Sequence, residues 1–135
     1  MRTTLVDTNV LLDIVTDDPV WADWSLARLD AVATAGDVWI NDVIYAEFSV
    51  RFTVIEDIDA LLARGQITLA PMTRPALFLA GKAFQRYRAA GGLRTGVLPD
   101  FFIGAHAAVA GWTLLTRDAA RYRTYFPNLD LIAPD

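Results

Sequence analysis

Thr3-Thr4-Leu5-Val6-Asp7-Thr8-Asn9-Val10-Leu11-Leu12 joins a short β-prone run to an apolar segment across three polar residues. Apolar character resumes at Val10, Leu11, Leu12 and Ile14, which predicts a buried strand over residues 3–6 that turns at once into a helix, with Asp7, Thr8 and Asn9 at the turn. A strand-to-helix turn is where α/β proteins place their chemistry.

The same alternation continues along the chain. Trp21, Trp24, Leu26, Leu29 and Val32 recur at roughly helical spacing after Asp17-Asp18-Pro19, predicting a helix with proline in its first turn that ends near Gly36. Residues 38–40 form a second strand, and Asn41 or Asp42 caps a helix containing Ile44, Tyr45, Phe48 and Phe52. A helix over residues 55–64 ends at Gly65, and residues 67–69 form a third strand before Pro71. The next helix runs from Thr73 or Arg74 to about Ala90, with Leu77, Ala80, Gly81 and Phe84 along one side, and Gly91-Gly92 stops it. Residues 93–98, with Arg94, Thr95 and Gly96, read as an exposed loop before Pro99 opens a helix over residues 100–110. Residues 112–116 are a fourth strand, 119–125 a short helix and 129–132 a fifth strand. Short apolar strands alternating with helices predict an α/β fold with a central, mainly parallel sheet of about five strands covered on both faces.

Composition narrows the chemistry. A chain of 135 residues, 54% of them hydrophobic, fits one domain over residues 1–135 with a single ordinary core. There is no Cys, which excludes a disulfide framework, a thiolate zinc site and a cysteine nucleophile; the lone His106 excludes a multi-histidine metal site. A metal on this chain is therefore held mostly by carboxylates, and oxygen ligands point to Mg²⁺ or Mn²⁺. Asp7 and Asp13 interrupt the N-terminal apolar segment, so no signal-peptide core forms there. The longest apolar run, residues 101–115, is too short for a membrane span and contains His106, so a cytoplasmic protein is expected.

The net charge of −4 hides an uneven distribution. Residues 1–65 carry 4 basic and 12 acidic side chains, whereas residues 82–123 carry 7 basic side chains against only Asp100 and Asp118, so one part of the chain is suited to facing phosphate. Of the 12 basic residues 11 are Arg, which either reflects a GC-rich genome or supplies planar donor forks for phosphate and carboxylate.

Four acids stand out by position. Asp7 lies at the carboxyl end of the first strand, Glu47 in an apolar helical setting, Asp100 behind Pro99 at a helix start, and Asp118 just after the fourth strand. Each has an ordinary explanation: helix caps for Asp7, Asp100 and Asp118, and a solvent-facing or paired carboxylate for Glu47. Ile103, Gly104 and Ala107 share a face with Asp100, and their limited bulk lets that helix approach the sheet and carry Asp100 to its edge. Convergence of all four carboxylates is unfavourable without a cation and makes a hard-oxygen Mg²⁺ or Mn²⁺ site with one.

The ordered set Leu5-Val6-Asp7-Thr8-Asn9, Tyr45-Ala46-Glu47-Phe48, Pro99-Asp100-Phe101-Phe102-Ile103-Gly104-Ala105-His106-Ala107 and Leu114-Leu115-Thr116-Arg117-Asp118 resembles a PIN domain, in particular the VapC family of bacterial type II toxin-antitoxin systems. The resemblance spans essentially the whole chain, and the order of its pieces is more specific than any one of them. It implies a three-layer α/β/α PIN-like fold and an Mg²⁺- or Mn²⁺-dependent endoribonuclease with Asp7, Glu47, Asp100 and Asp118 as catalytic and metal-binding acids, in which water attacks the RNA phosphodiester. Thr8, Asn9 and Thr116 would hold the carboxylates in place. It also implies a homodimer and a VapB-like antitoxin that wraps the toxin into a hetero-oligomer and supplies the contact to operator DNA; no membrane is involved. Trp21, Trp24, Phe48 and Phe52 suit either such a partner surface or the core.

His106 is expected to be structural, because it lies six residues from Asp100 on a different helix face. Arg117 has three open readings: a pair with Asp118, an RNA phosphate contact, or an exposed side chain. Arg94, Arg117, Arg121 and Arg123 are the candidate RNA contacts. Among other α/β folds with acidic sites, a phosphate-accepting receiver domain needs a Lys near its last strand, whereas Lys82 lies within a helix. A haloacid-dehalogenase phosphatase needs a second Asp where Asn9 stands. The remaining rival is a catalytically silent PIN-like module acting through protein or RNA contacts.

Overall fold

The computed structural model describes residues 2–94 and 96–135. Its strands are β1 (Thr4–Val6), β2 (Val38–Asn41), β3 (Ile67–Ala70), β4 (Thr113–Leu115) and β5 (Leu131–Ile132), all parallel in the order β3-β2-β1-β4-β5. Helices flank this sheet in the three-layer α/β/α arrangement: α1 (Thr8–Val15), α2 (Ala22–Ala35), α3 (Asp42–Ser49), α4 (Ile55–Arg64), α5 (Arg74–Ala89), α6 (Leu98–Ala110) and α7 (Ala120–Tyr125). Leu5, Val6, Ile40, Leu114 and Leu115 are completely buried, as continuous apolar strands covered on both faces must be. The order of strands changes direction at β1, whose neighbours are β2 and β4, and that reversal opens a crevice beyond the carboxyl ends of β1 and β4.

Several boundaries differ from the sequence expectation for local reasons. Pro19 precedes α2 in a turn instead of lying in its first turn; the Asp18 carboxylate accepts from Val20 N and Trp21 N, both at 2.9 Å, and helix geometry begins only at Ala22. Within α2, Leu26 is exposed and Ser25 is buried, because the Ser25 hydroxyl donates to Asp13 Oδ2 on α1 at 2.8 Å. Phe52 lies beyond the end of α3 but packs edge-on against Phe48 at 5.1 Å. On α5 the buried stripe is Ala76, Ala80 and Ala83; Leu77 faces outward and Gly81 has nothing near it. Helix α6 starts at Leu98, with Pro99 in the first turn where its missing N–H costs nothing, and ends at Gly111 in the left-handed region with φ 73°. Thr95, assigned to the preceding loop, lies outside the described residues.

Gly104 has a different use from the one expected. A Cβ there would come within 2.5 Å of the Phe126 ring and 3.0 Å of Tyr122, so its bareness brings the aromatic side chains at and after α7 onto α6, not α6 onto the sheet. Phe48 belongs to the core, Trp24 and Phe52 pack against it, and Trp21 is half-buried beneath Arg117. His106 is buried, with its ring 5.3 Å from Trp112. Asn41 Oδ1 caps α3 by accepting from Ile44 N, so its amide donates to His106 Nδ1 at 3.2 Å, and burial lowers the pKa of that neutral imidazole.

Candidate active site

The parallel register places Val6 beside Leu115, and Asp7 N continues the ladder by donating to Leu115 O at 2.9 Å. Asp7 and Thr116 consequently leave adjacent strands side by side at the crevice. Asp7 is both N-cap and candidate ligand: its Oδ1 accepts from Thr8 N at 2.7 Å. Its Oδ2 accepts from Thr116 Oγ1 and from the Tyr122 hydroxyl, each at 2.8 Å, with Asn9 Nδ2 more distant at 3.4 Å. Burial raises the Asp7 carboxyl to about 6 even against these donors, and the charge of Asp100 adds to the effect.

Asp7, Glu47 and Asp100 line one open groove of about 420 Å³, together with Thr8, Asn9, Leu12, Val50 and Arg51. Glu47 is half-buried and its Oε1 accepts from the Thr8 hydroxyl at 2.7 Å. Asp100 sits in the first turn of α6, where burial raises its pKa while Arg121, whose Nη1 lies 2.6 Å from Oδ2, pulls it down. Asp118 is exposed and does not line the groove; its charge still reaches Asp100, and its backbone N donates to Thr116 Oγ1 at 3.1 Å. Asn9 links the strands, accepting from Arg117 N at 3.1 Å.

Three carboxylates thus share the groove, with the fourth at its flank, but they do not form a closed cage. Among the described residues no three acidic, His or Cys side chains approach closely enough to enclose a metal ion. The donor set fits Mg²⁺ or Mn²⁺ in the open manner usual for these ions, held by one or two carboxylates with water completing the shell.

The basic candidates divide. Arg121 pairs with Asp100 inside the site, and Arg117 pairs with Asp13 instead of Asp118. Arg94 is exposed, though near enough for its charge to act on Asp100, and Arg123 is exposed on α7. Three residues escaped the sequence reading. Tyr122 and Asp13 carry no local signal for Asp7 and Arg117, the partners that lie more than a hundred residues away. Arg51, just beyond the end of α3, lines the acidic groove, and its position four residues after Glu47 in the helix expected from the sequence was the available clue.

A comparison with curated proteins finds no match. Among solved structures, VapBC2 from Rickettsia felis bound to a promoter DNA fragment aligns with a TM-score of 0.75 and 19% identity, over 99% of this chain and 100% of the other. VapBC-1 from nontypeable Haemophilus influenzae aligns with a TM-score of 0.70 and 15% identity, over 98% of each chain. FitAcB from Neisseria gonorrhoeae aligns with a TM-score of 0.65 and 20% identity, over 96% of each chain. At such identities these matches establish the fold. The family model for the PIN domain matches residues 4–127, a span that takes in every strand but β5 and all of the acids above, and on that ground the chain belongs to the PIN domain family.

Proposed function

We propose that this protein is the toxin of a VapBC-like type II pair and an Mg²⁺- or Mn²⁺-dependent endoribonuclease, with Asp7, Glu47, Asp100 and Asp118 as its acidic site. The observation that carries the reading is Asp7, fastened at the carboxyl end of the central strand and facing the same open groove as Glu47 and Asp100. PIN domains are as a class nucleases, and the groove that holds the three acids is open to solvent.

A divalent ion, when bound, polarises a phosphoryl oxygen and offsets charge developing on the oxygens. Asp7 and Asp100 are the residues we assign to hold it. Glu47, steadied by Thr8, orients the attacking water and accepts its proton as the water oxygen joins phosphorus; the P–O ester bond that breaks leaves its electron pair on the departing oxygen, which takes up a proton from solvent. Thr8, Asn9 and Thr116 support the carboxylates through the hydrogen bonds described above.

The partner we infer is a VapB-like antitoxin, with operator DNA contacted through it. The VapBC and FitAB neighbours support this, two of the VapBC structures being bound to DNA. On this chain an apolar groove of about 240 Å³ lined by Leu11, Ile14, Leu29, Phe48, Leu61 and Ile67 suits an antitoxin helix. Exposed Leu77 and Phe78 on α5 suit a homodimer. Among the described residues no helix is long and apolar enough to cross a membrane; the cytoplasmic setting we infer follows from the toxin reading.

The deciding experiment is sequencing of RNA 5′ ends in bacteria briefly expressing the chain, with Asp100→Asn expressed in parallel. New ends at discrete sites in the parent alone support a specific endoribonuclease. Identical end profiles from two folded, soluble proteins would instead support a silent binding module.

A further inference from the structure

Helix α7 delivers two consecutive side chains to two different acids. Arg121 takes Oδ2 of Asp100 at 2.6 Å, and Tyr122 takes Oδ2 of Asp7 at 2.8 Å. Tyr122 is the largest fully buried side chain among the described residues, and its ring packs beside that of Phe126 against the bare Gly104 of α6, the helix that also carries Asp100. A buried phenol needs a hydrogen-bond partner, and here the partner is a buried carboxylate at the far end of the sequence.

Counting acceptor capacity separates the two oxygens of Asp7. A carboxylate oxygen accepts about two hydrogen bonds. Oδ2 already receives Thr116 Oγ1 and the Tyr122 hydroxyl, with Asn9 Nδ2 at the margin; among the described residues Oδ1 receives only Thr8 N. Held from both sides, the carboxylate cannot rotate without breaking a buried bond.

We propose that Tyr122 is a positioning residue of the acidic site: its hydroxyl, with Thr116, saturates Oδ2 of Asp7 and so reserves Oδ1 for a bound divalent cation. The assignment rests on the metal-dependent reading above and adds which oxygen binds and which residue fixes it. Without the hydroxyl, Oδ2 has a free lone pair, the carboxylate turns more freely, and the ion meets a less ordered ligand.

Tyr122→Phe keeps the ring in its slot and deletes only this donor. Mn²⁺ binding is measured by calorimetry on the parent, Tyr122→Phe and Tyr125→Phe; the last removes a hydroxyl from the same helix without touching Asp7. Loss of a group that orients a metal ligand weakens metal affinity about 10- to 100-fold, which is the expectation for Tyr122→Phe, with Tyr125→Phe matching the parent. In turnover the Mn²⁺ concentration for half-activity rises correspondingly, while kcat at saturating Mn²⁺ stays within about threefold, a split that general loosening of the fold does not produce. Unchanged Mn²⁺ affinity in a folded Tyr122→Phe overturns the proposal while leaving the metal reading intact; absence of Mn²⁺ binding by the folded parent overturns both. Should Tyr122→Phe fail to fold, fluorotyrosine introduced at 122 takes its place: its ¹⁹F resonance shifts on titration with Mg²⁺, and a resonance that ignores Mg²⁺ while the parent binds it defeats the idea.

Discussion

The guanidinium of Arg117 grips the buried carboxylate of Asp13 with two donors, Nε to Oδ2 at 2.8 Å and Nη2 to Oδ1 at 3.0 Å. Asp13 is 2% exposed, takes a third hydrogen bond from Ser25, and lies on α1, whereas Arg117 follows β4 and stacks over Trp21 at 5.6 Å. The pair ties α1, α2 and the β4 turn together beside the acidic groove. Arg117→Met strands a buried charge, and we expect a stability loss of about 3 kcal/mol in urea denaturation. The salt dependence of RNA binding stays as in the parent, because the guanidinium is engaged elsewhere. An unaltered urea midpoint would contradict this account.

Asp7 sets a pH dependence. Its carboxyl is raised from 3.8 to about 6 in the fold, so the folded chain holds that proton more tightly than the unfolded one. The associated stability is fully present below the unfolded value and is lost as pH rises through about 6, a change of roughly 3 kcal/mol for the metal-free chain. Mg²⁺ bound to Asp7, as proposed above, would require the ionised form and act in the opposite direction. Melting curves with and without Mg²⁺ should therefore converge below pH 6 and separate above it. Equal stabilisation by Mg²⁺ on both sides would exclude Asp7 as a ligand.

Arg51 is the basic side chain lining the acidic groove, and no ion pair to it forms among the described residues. If RNA lies there, Arg51→Ala raises KM with little change in kcat and reduces the slope of log affinity against log salt by about 1. Parent-like KM and slope would place the strand elsewhere.

On α5, Phe78 is 68% exposed and Leu77 44%. A homodimer joined through this face should dissociate in Phe78→Glu, to be seen as a halved mass in analytical ultracentrifugation, with melting temperature nearly unchanged because the site is already in water. A dimer that survives the substitution uses another surface.

The strands and helices were legible because apolar periodicity and turn residues act over a few positions: residues 3–6, 38–40 and 67–69 each fall within one residue of β1, β2 and β3. Asp7 was legible for the same reason, since a polar residue after a buried strand marks a sheet edge, whereas the role of Thr116 came from the family resemblance. Rotation of α2 was not. Leu26 promised a buried face, but the Asp13–Ser25 bond turns Ser25 inward, and that contact depends on how two helices pack. Gly104 was correctly seen as a place of close approach, yet its neighbour could not be read from α6 alone. Tyr122 resembles any aromatic of a short amphipathic helix until the sheet brings Asp7 within 2.8 Å across 115 positions.

The central position of β1 carries a consequence for synthesis. Residues 4–6 leave the ribosome long before residues 113–115, yet β1 has paired edges on both sides only once β4 is in place. Until then Asp7 lacks Thr116 and Tyr122, and the half-made sheet exposes its middle. The acidic groove is thus assembled only after residues 113–122 have been made, and until then the growing polypeptide lacks it.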